Sequence, residues 1–216
     1  MDILFVVVGI VGFALAIIIH EVAHGWMADR LGDPTARIAG RLTLNPIPHI
    51  DIYGTVVVPL LLFFFHSPFL FGWAKPVPID PYNLKNPKKD AALISLAGPV
   101  ANIVFAVILS IFLRILLIIL PSGTFFGLFF NLININLILA IFNLIPIHPL
   151  DGGKILIGLL PDKQARELDV FLNRFGIILL FFLIFPVFGG VSLISPIMSP
   201  VINFLLRILV PGFSTI

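Results

Sequence analysis

The feature that most constrains this chain is an apolar stretch, Ile3–Ala28, that carries His20, Glu21 and His24 near its end. The stretch is long enough for a transmembrane helix, and its histidines are four residues apart, so both imidazoles lie on one helix face and can bind one Zn²⁺. Glu21 can then act as a general base. A charged group at membrane depth costs roughly 2.5–3.5 kcal/mol, so we expect this glutamate to be functional. The alternatives are a chance occurrence of this motif, or two histidines that only form hydrogen bonds between helices.

The composition excludes an ordinary soluble domain. Hydrophobic residues make up 59% of the 216 positions and charged residues only 11%, which indicates a single integral membrane domain over residues 1–216. The charges cluster in loops, so the net charge of +2 bears on membrane topology and gives no support to nucleic-acid binding. Because the sequence contains no cysteine, a metal must be held by His, Asp or Glu side chains.

The hydrophobic segments predict an all-α polytopic membrane protein with about five to six transmembrane helices and a re-entrant, partly β-extended hairpin near the active site. The catalytic core covers about residues 1–160, and the C-terminal helices cover about residues 170–212. The predicted segments are Ile3–Ala28, Ile52–Phe71, Ala91–Leu120, Phe125–Ile147, Phe175–Leu193 and Pro196–Val210.

A third metal ligand must come from a later segment, and Asp151 is the best candidate. It follows the Phe125–Ile147 segment, where prolines should unwind the helix end while Gly152 and Gly153 let the backbone turn sharply behind the carboxylate. An Asp-Gly-Gly sequence is also an ordinary turn, which is the alternative. If Asp151 joins the histidines, both helix ends lie on the same side of the bilayer, with an even number of crossings between them.

The Ile52–Phe71 run is therefore expected to enter the membrane and return on the same side. Basic residues flank it at both ends, which argues against a crossing. A re-entrant hairpin is tolerated where it lines a protein cavity. Its β-branched residues Thr55, Val56 and Val57 favour a short strand that could pair with an extended substrate. The basic loops and the site then face the cytoplasm, with the N-terminus outside a plasma membrane.

Four motifs, in this order, resemble those of the site-2 protease family of intramembrane zinc metalloproteases. They are His20–His24, Gly72–Pro78, Gly98–Asn102 and Asn143–Asp151. The similarity extends to about Leu160, and we recognise no PDZ domain or CBS pair, so the chain is similar to the compact prokaryotic members. One departure is His148, where the family pattern would have proline or another small residue.

The resemblance implies a zinc metalloendopeptidase that hydrolyses peptide bonds within or next to transmembrane segments of membrane-protein substrates in the lipid bilayer. One Zn²⁺ per chain would be held by His20, His24 and Asp151, and a zinc-activated water would give its proton to Glu21. Asn143 is the expected donor to the oxyanion of the intermediate, although a hydrogen bond between helices explains it equally well.

Substrate binding is expected from Asn102 and from the Thr55, Val56 and Val57 stretch. Asn102 carries the same ambiguity as Asn143 and leans toward a structural role, because the Gly98-Pro99 pair beside it suggests tight helix packing.

Two other functions remain alternatives. A non-proteolytic binder could use the zinc site to hold membrane helices, but such proteins usually lack the base or a ligand, and this chain retains all of them. A metal transporter needs polar groups at several membrane depths, whereas here the polar groups gather near one face.

Overall fold

The computed structural model describes residues 3–65, 73–120, 125–185 and 192–213, which are mostly helical and contain no strand. A π-helical turn lies at Ile52–Val57, and short 3₁₀ turns lie at Ile47–His49 and Pro81–Asn83. The α-helices are α1 (Ile3–Leu31), α2 (Thr35–Ile38), α3 (Val58–Phe64), α4 (Pro87–Ile119), α5 (Phe126–Asn143), α6 (Asp151–Leu159), α7 (Asp162–Ile184) and α8 (Ser195–Leu209).

Three of the described helices are long and apolar enough to cross a membrane, namely Val7–Leu31, Pro87–Ile119 and Phe126–Asn143. They coincide with three of the predicted segments, because a long apolar run satisfies its backbone groups in lipid only as a helix. Helix α8 is apolar but shorter, and α7 begins with a charged stretch. The count of five to six spans therefore stays a prediction.

Helix α4 is central, because it packs against α1, α5 and α6, while α8 packs against α5. Its start is specified locally: Pro87 occupies the first helical turn, and the Asp90 carboxylate accepts a hydrogen bond from Asn86 N at 2.8 Å. The main core lies between α4, α5 and α8, and its buried residues are Ala106, Leu109, Leu113, Ile133, Leu137, Ile194, Met198, Ile202, Leu206 and Val210.

The strand predicted at Thr55, Val56 and Val57 is wrong, because these residues belong to the π-helical turn that leads into α3. The Asp51 carboxylate accepts a hydrogen bond from Gly54 N at 2.7 Å and so satisfies a backbone donor at the start of this turn. β-propensity depends strongly on context, and here the local cap outweighs the β-branched side chains.

The two ends of the segment between Gly54 and Trp73 meet. Trp73 N donates to Gly54 O at 3.2 Å, and Thr55 Oγ1 donates to Trp73 O at 2.9 Å. The chain therefore leaves and returns at one place. The tip of the predicted hairpin and Gly72 fall at positions 66–72, and positions 186–191 belong to the predicted Phe175–Leu193 span. Both stretches lie outside the described residues.

The turn predicted at Asp151 is a helix start, because α5 ends at Asn143 and Asp151 begins α6. Gly152 and Gly153 are helical residues, so they do not serve to turn the chain. A Cβ on Gly152 would lie only 2.3 Å from the carbonyl oxygen of Leu144. The glycines therefore let the first turn of α6 pack directly on the backbone that precedes it.

Candidate metal centre

Three side chains from two distant parts of the sequence meet at one point. Asp151 Oδ2 lies 3.0 Å from His20 Nε2 and 3.2 Å from His24 Nε2. The histidines come from α1 and are 5% and 8% exposed, and the carboxylate comes from the first turn of α6. In the part of the chain that the structure describes, these residues form the one group of three or more His, Asp or Glu side chains that could hold a metal ion.

The other nitrogen of each imidazole faces a carbonyl oxygen. His20 Nδ1 lies 2.7 Å from Asn102 Oδ1, and His24 Nδ1 lies 2.7 Å from the backbone oxygen of Ile94. Each oxygen accepts only, so both Nδ1 atoms carry the proton in the neutral ring, and each Nε2 is left with a lone pair. This is the arrangement that orients histidines as metal ligands.

The site suits a cation. Burial acts to raise the pKa of Asp151, but hydrogen bonds and positive charge from the two imidazoles outweigh burial and lower the pKa, so the group is ionised at neutral pH. A carboxylate oxygen and two imidazole nitrogens that converge on one point can hold a positive charge, whether it is a proton on a ring or a metal ion. Ligands held tetrahedrally around Zn²⁺ lie about 3.3–3.5 Å apart, close to the 3.0 and 3.2 Å separations. The donor set therefore fits zinc.

Gly98 makes room for the two rings. A Cβ at this position would lie 2.5 Å from His24 Cε1 and 2.7 Å from His20 Cε1. The next residue, Pro99, has no N–H and so removes one hydrogen bond inside α4. The neighbouring turn supplies the Ile94 carbonyl that accepts from His24.

Asn102 is fully buried and connects three helices. Besides accepting from His20 in α1, its amide nitrogen donates to Ala16 O at 2.9 Å and to Asn136 Oδ1 of α5 at 3.0 Å. Asn136 in turn donates to Leu132 O. The network fixes which end of the Asn102 amide faces the histidine.

Comparisons with known proteins agree with this geometry. The chain is 35% identical over 191 residues, 85% of its own length and 80% of the relative, to "Putative zinc metalloprotease YwhC" of Bacillus subtilis. The chain belongs to peptidase family M50. The model of that family, Peptidase family M50, matches residues 120–183.

Further relatives of this M50 chain carry the same kind of name. It is 30% identical over 159 residues to the protein named Rip2 of Mycobacterium tuberculosis, and covers 60% of that relative's length. No solved structure matches the chain. Membership of M50 makes the protein a zinc metalloendopeptidase of the site-2 protease type, and its long apolar helices make it a membrane protein.

Glu21 of this M50 protease lies on α1 beside the two histidines, and its carboxylate has a fixed partner. Glu21 Oε2 accepts a hydrogen bond from the backbone N–H of Val77 at 3.0 Å. Val77 lies within Gly72–Pro78, one of the motifs that carried the resemblance. The motif alone gave no reason to expect a contact between the Val77 amide and Glu21.

The other predicted site residues lie apart from the metal group in the described contacts. Asn143 ends α5, and its amide donates to Leu139 O of its own helix at 3.0 Å. Thr55 is exposed and bonds to Trp73, and Val57 is half-buried. For Val56 the description extends to its backbone only.

His148, the departure from the family pattern, lies outside the metal group. Its Nε2 lies 3.3 Å from Asp169 Oδ1 of α7. It lines a cavity of about 630 Å³ together with Lys88, Lys154 and Asp169. The ligand set is therefore unchanged by this residue.

Reasoning from the sequence missed the partners that orient the site. The Ile94 carbonyl and the Val77 N–H are backbone groups, which every residue except proline carries in full, so no residue type indicates them. Asn136 did leave a signal, since several asparagines in one apolar helix suggest hydrogen bonds between helices. The structure assigns that bond to Asn102.

Proposed function

We propose that this M50 protease hydrolyses peptide bonds within or next to transmembrane segments of membrane proteins. The observation that carries the proposal is that His20 and His24, with Glu21 between them, lie on a helix long enough to cross a membrane and meet Asp151 of α6. A protease that held its site outside the bilayer would have no need to place its base in such a helix.

The chemistry follows from the donor set. His20, His24 and Asp151 would hold Zn²⁺, which when bound would act as a Lewis acid on a peptide carbonyl and lower the pKa of a water molecule. Glu21 takes the proton of the attacking water and returns it to the leaving amine. Both imidazoles are buried, and electrostatic interactions are stronger where bulk water is largely excluded.

Asn143 is proposed as a donor to the oxyanion. Its amide lies at the last residue of α5, where the chain turns toward Asp151. One amide hydrogen goes to Leu139 O, and an amide nitrogen carries a second hydrogen that can be donated. That second hydrogen is the one that would stabilise the developing charge.

For Asn102 we propose a positioning role in place of direct substrate binding. The side chain is fully buried, and its oxygen and nitrogen are bonded to His20, Ala16 and Asn136. Such a residue holds the ligand ring and its tautomer, and a substrate could reach it only by displacing this network.

The segment between Gly54 and Trp73 is proposed as a re-entrant hairpin that borders the substrate path. Its ends are held together by hydrogen bonds, and α3, with seven residues, is too short to cross a bilayer. A substrate helix must unwind locally near it, because a hydrogen-bonded helix shields its carbonyls.

The orientation is also a proposal. Arg30, Arg37 and Arg41 follow the histidines, and basic residues also precede α4 and follow Asp151. The positive-inside rule then places this end of the molecule in the cytoplasm and the N-terminus outside the plasma membrane, with residues 1–216 forming one domain.

The test is cleavage in proteoliposomes. A panel of single-span reporter proteins, tagged at both ends, is reconstituted with wild type or Glu21→Ala. The proposal is supported if only the wild type cleaves a reporter while both proteins bind one zinc per chain. Zinc binding without cleavage of any reporter favours a helix-binding protein, and flux of Zn²⁺ into protein-containing vesicles favours a transporter.

A further inference from the structure

A short segment that lies against the site is made rigid by its own sequence. Residues 73–80 contain no helix or strand, and they include Lys75-Pro76-Val77-Pro78. Each proline fixes its own φ and restricts the residue before it to extended conformations. Between Pro76 and Pro78, Val77 has the only backbone N–H, because proline has none.

That single N–H is directed at the catalytic glutamate. Val77 N donates to Glu21 Oε2 at 3.0 Å. The valine side chain is 6% exposed and packs over Gly25, where a Cβ would lie 2.8 Å from Val77 Cγ1. Gly25 follows the ligand His24, so both the backbone and the side chain of Val77 contact the helix that carries the site.

The segment is anchored on either side of Val77. Lys75 N donates to His49 O at 2.9 Å, and Asp80 N donates to Asp33 Oδ2 at 2.7 Å. Asp33 is fully buried, and it also accepts from Asn83 Nδ2 at 2.8 Å. A rigid backbone held at two points leaves the Val77 N–H little freedom to follow a mobile carboxylate.

A general base must be held close to one geometry to act efficiently. A flexible glutamate gains that order when one oxygen is bonded to a fixed donor, and a charge-assisted bond to a backbone N–H is strong. Oε2 faces Val77, which leaves Oε1 to accept a proton.

We propose that the backbone amide of Val77 is a positioning group for catalysis, which holds Glu21 through Oε2 so that Oε1 faces the attacking water. The inference rests on the proposed function, in which Glu21 is the base. It makes the Pro76-Val77-Pro78 backbone part of the active site.

The contact itself is tested without a substrate, by hydrogen exchange resolved to single residues. Because Val77 has the only exchangeable backbone hydrogen in residues 76–78, its rate is read directly. In Glu21→Ala, exchange at Val77 should be about 10-fold faster or more, since a bond to a charged acceptor is lost. Glu21→Gln keeps an acceptor oxygen and should exchange nearly as slowly as wild type. Equal rates in all three proteins would overturn the proposal.

The kinetic consequence is tested with Val77→Pro, which removes the N–H, beside Val77→Ala, which keeps it. We expect Val77→Pro to lower kcat about 10- to 100-fold with KM and zinc content close to wild type. Val77→Ala should lose much less.

Each result has a defined meaning. If Val77→Pro is as active as Val77→Ala, or more active than wild type, the amide does not assist the base and the inference fails while the proposed function stands. If Glu21→Ala cleaves reporters like wild type, the proposed function fails. If Val77→Pro does not fold, the exchange rates of the Glu21 variants decide.

Discussion

Substitution of Gly98 by alanine should abolish tight zinc binding although it adds only one methyl group. The new Cβ would lie 2.5 Å from His24 Cε1, 2.6 Å from His24 Nε2 and 2.7 Å from His20 Cε1. Carbon atoms in contact prefer about 3.5–4.0 Å, so each ring must withdraw by roughly 1 Å. Metal–ligand distances tolerate only about ±0.2 Å.

The rings have little room to withdraw, because their Nδ1 atoms are held at 2.7 Å from Asn102 Oδ1 and Ile94 O. Either these bonds or the ligand geometry must break, and loss of a partner that orients a ligand typically costs 10- to 100-fold in metal affinity. We expect at least about a 100-fold rise in the zinc Kd, or roughly 2.7 kcal/mol, measured by chelator competition in detergent.

The matched control is Gly9→Ala. Gly9 lies in α1, and a Cβ there would meet Asn131 Nδ2 at an ordinary 3.4 Å. This variant should hold zinc like wild type, with an equal or higher Tm, because alanine favours a helix over glycine by roughly 0.5–1 kcal/mol. A Gly98→Ala protein that binds zinc as tightly as Gly9→Ala would refute the argument that both imidazoles lie directly against α4.

Four further predictions follow from the same contacts. Asp151→Ala should lose zinc in detergent-purified protein, as measured by metal analysis, and undiminished zinc would refute the third ligand. Asn102→Ala should weaken zinc binding about 10- to 100-fold, whereas Asn102→Asp keeps an acceptor for His20 and should weaken zinc binding less. Equal losses of zinc affinity in the two variants, measured by chelator competition, would contradict the positioning role. Asn143→Ala should lower kcat about 10²- to 10³-fold with full zinc content, and unchanged reporter cleavage would leave only its bond within α5. Burial acts to raise the pKa of Asp33, but hydrogen bonds from Thr35, Asn83 and Asp80 lower the pKa below its usual value. The ionised carboxylate therefore stabilises the fold at pH values above the unfolded pKa of about 3.9. This stabilisation is lost as the pH falls through the lower pKa of the folded state. Tm of Asp33→Asn should accordingly lie below wild type at pH 7, with a gap that narrows below about pH 4, and a gap independent of pH would contradict this assignment.

The long helices were predictable because their signal is local. The apolar runs that became α1, α4 and α5 agree with the helix bounds to within a few residues, except that α5 ends at Asn143 rather than Ile147. The early end has a physical cause in Pro146, which disfavours helix for the residue before it. The strand predicted at Thr55–Val57 was wrong because side-chain propensity was outweighed. The side chains favour a strand, but the Asp51 carboxylate caps the turn that the segment forms.

The metal ligands also differ in whether a local sequence signal or a long-range contact brings them into the site. His20 and His24 could be paired from the sequence, because a helix fixes the direction of side chains four residues apart whatever surrounds it. Asp151 needed an argument about membrane sides, since 127 positions separate it from His24. The structure brings its carboxylate to the histidines through the packing of α6 on α4.

By itself the sequence determined that this chain lies in a membrane, which helix carries the histidines and the base, and which chemical groups could bind a metal. All of these depend on side-chain type and spacing along one helix. Only the tertiary structure decided what holds those groups in place, namely the Asn102 oxygen on His20, the Ile94 carbonyl on His24 and the Val77 amide on Glu21. Two of these three partners are backbone atoms, and a backbone atom acquires a role only from the position to which packing brings it.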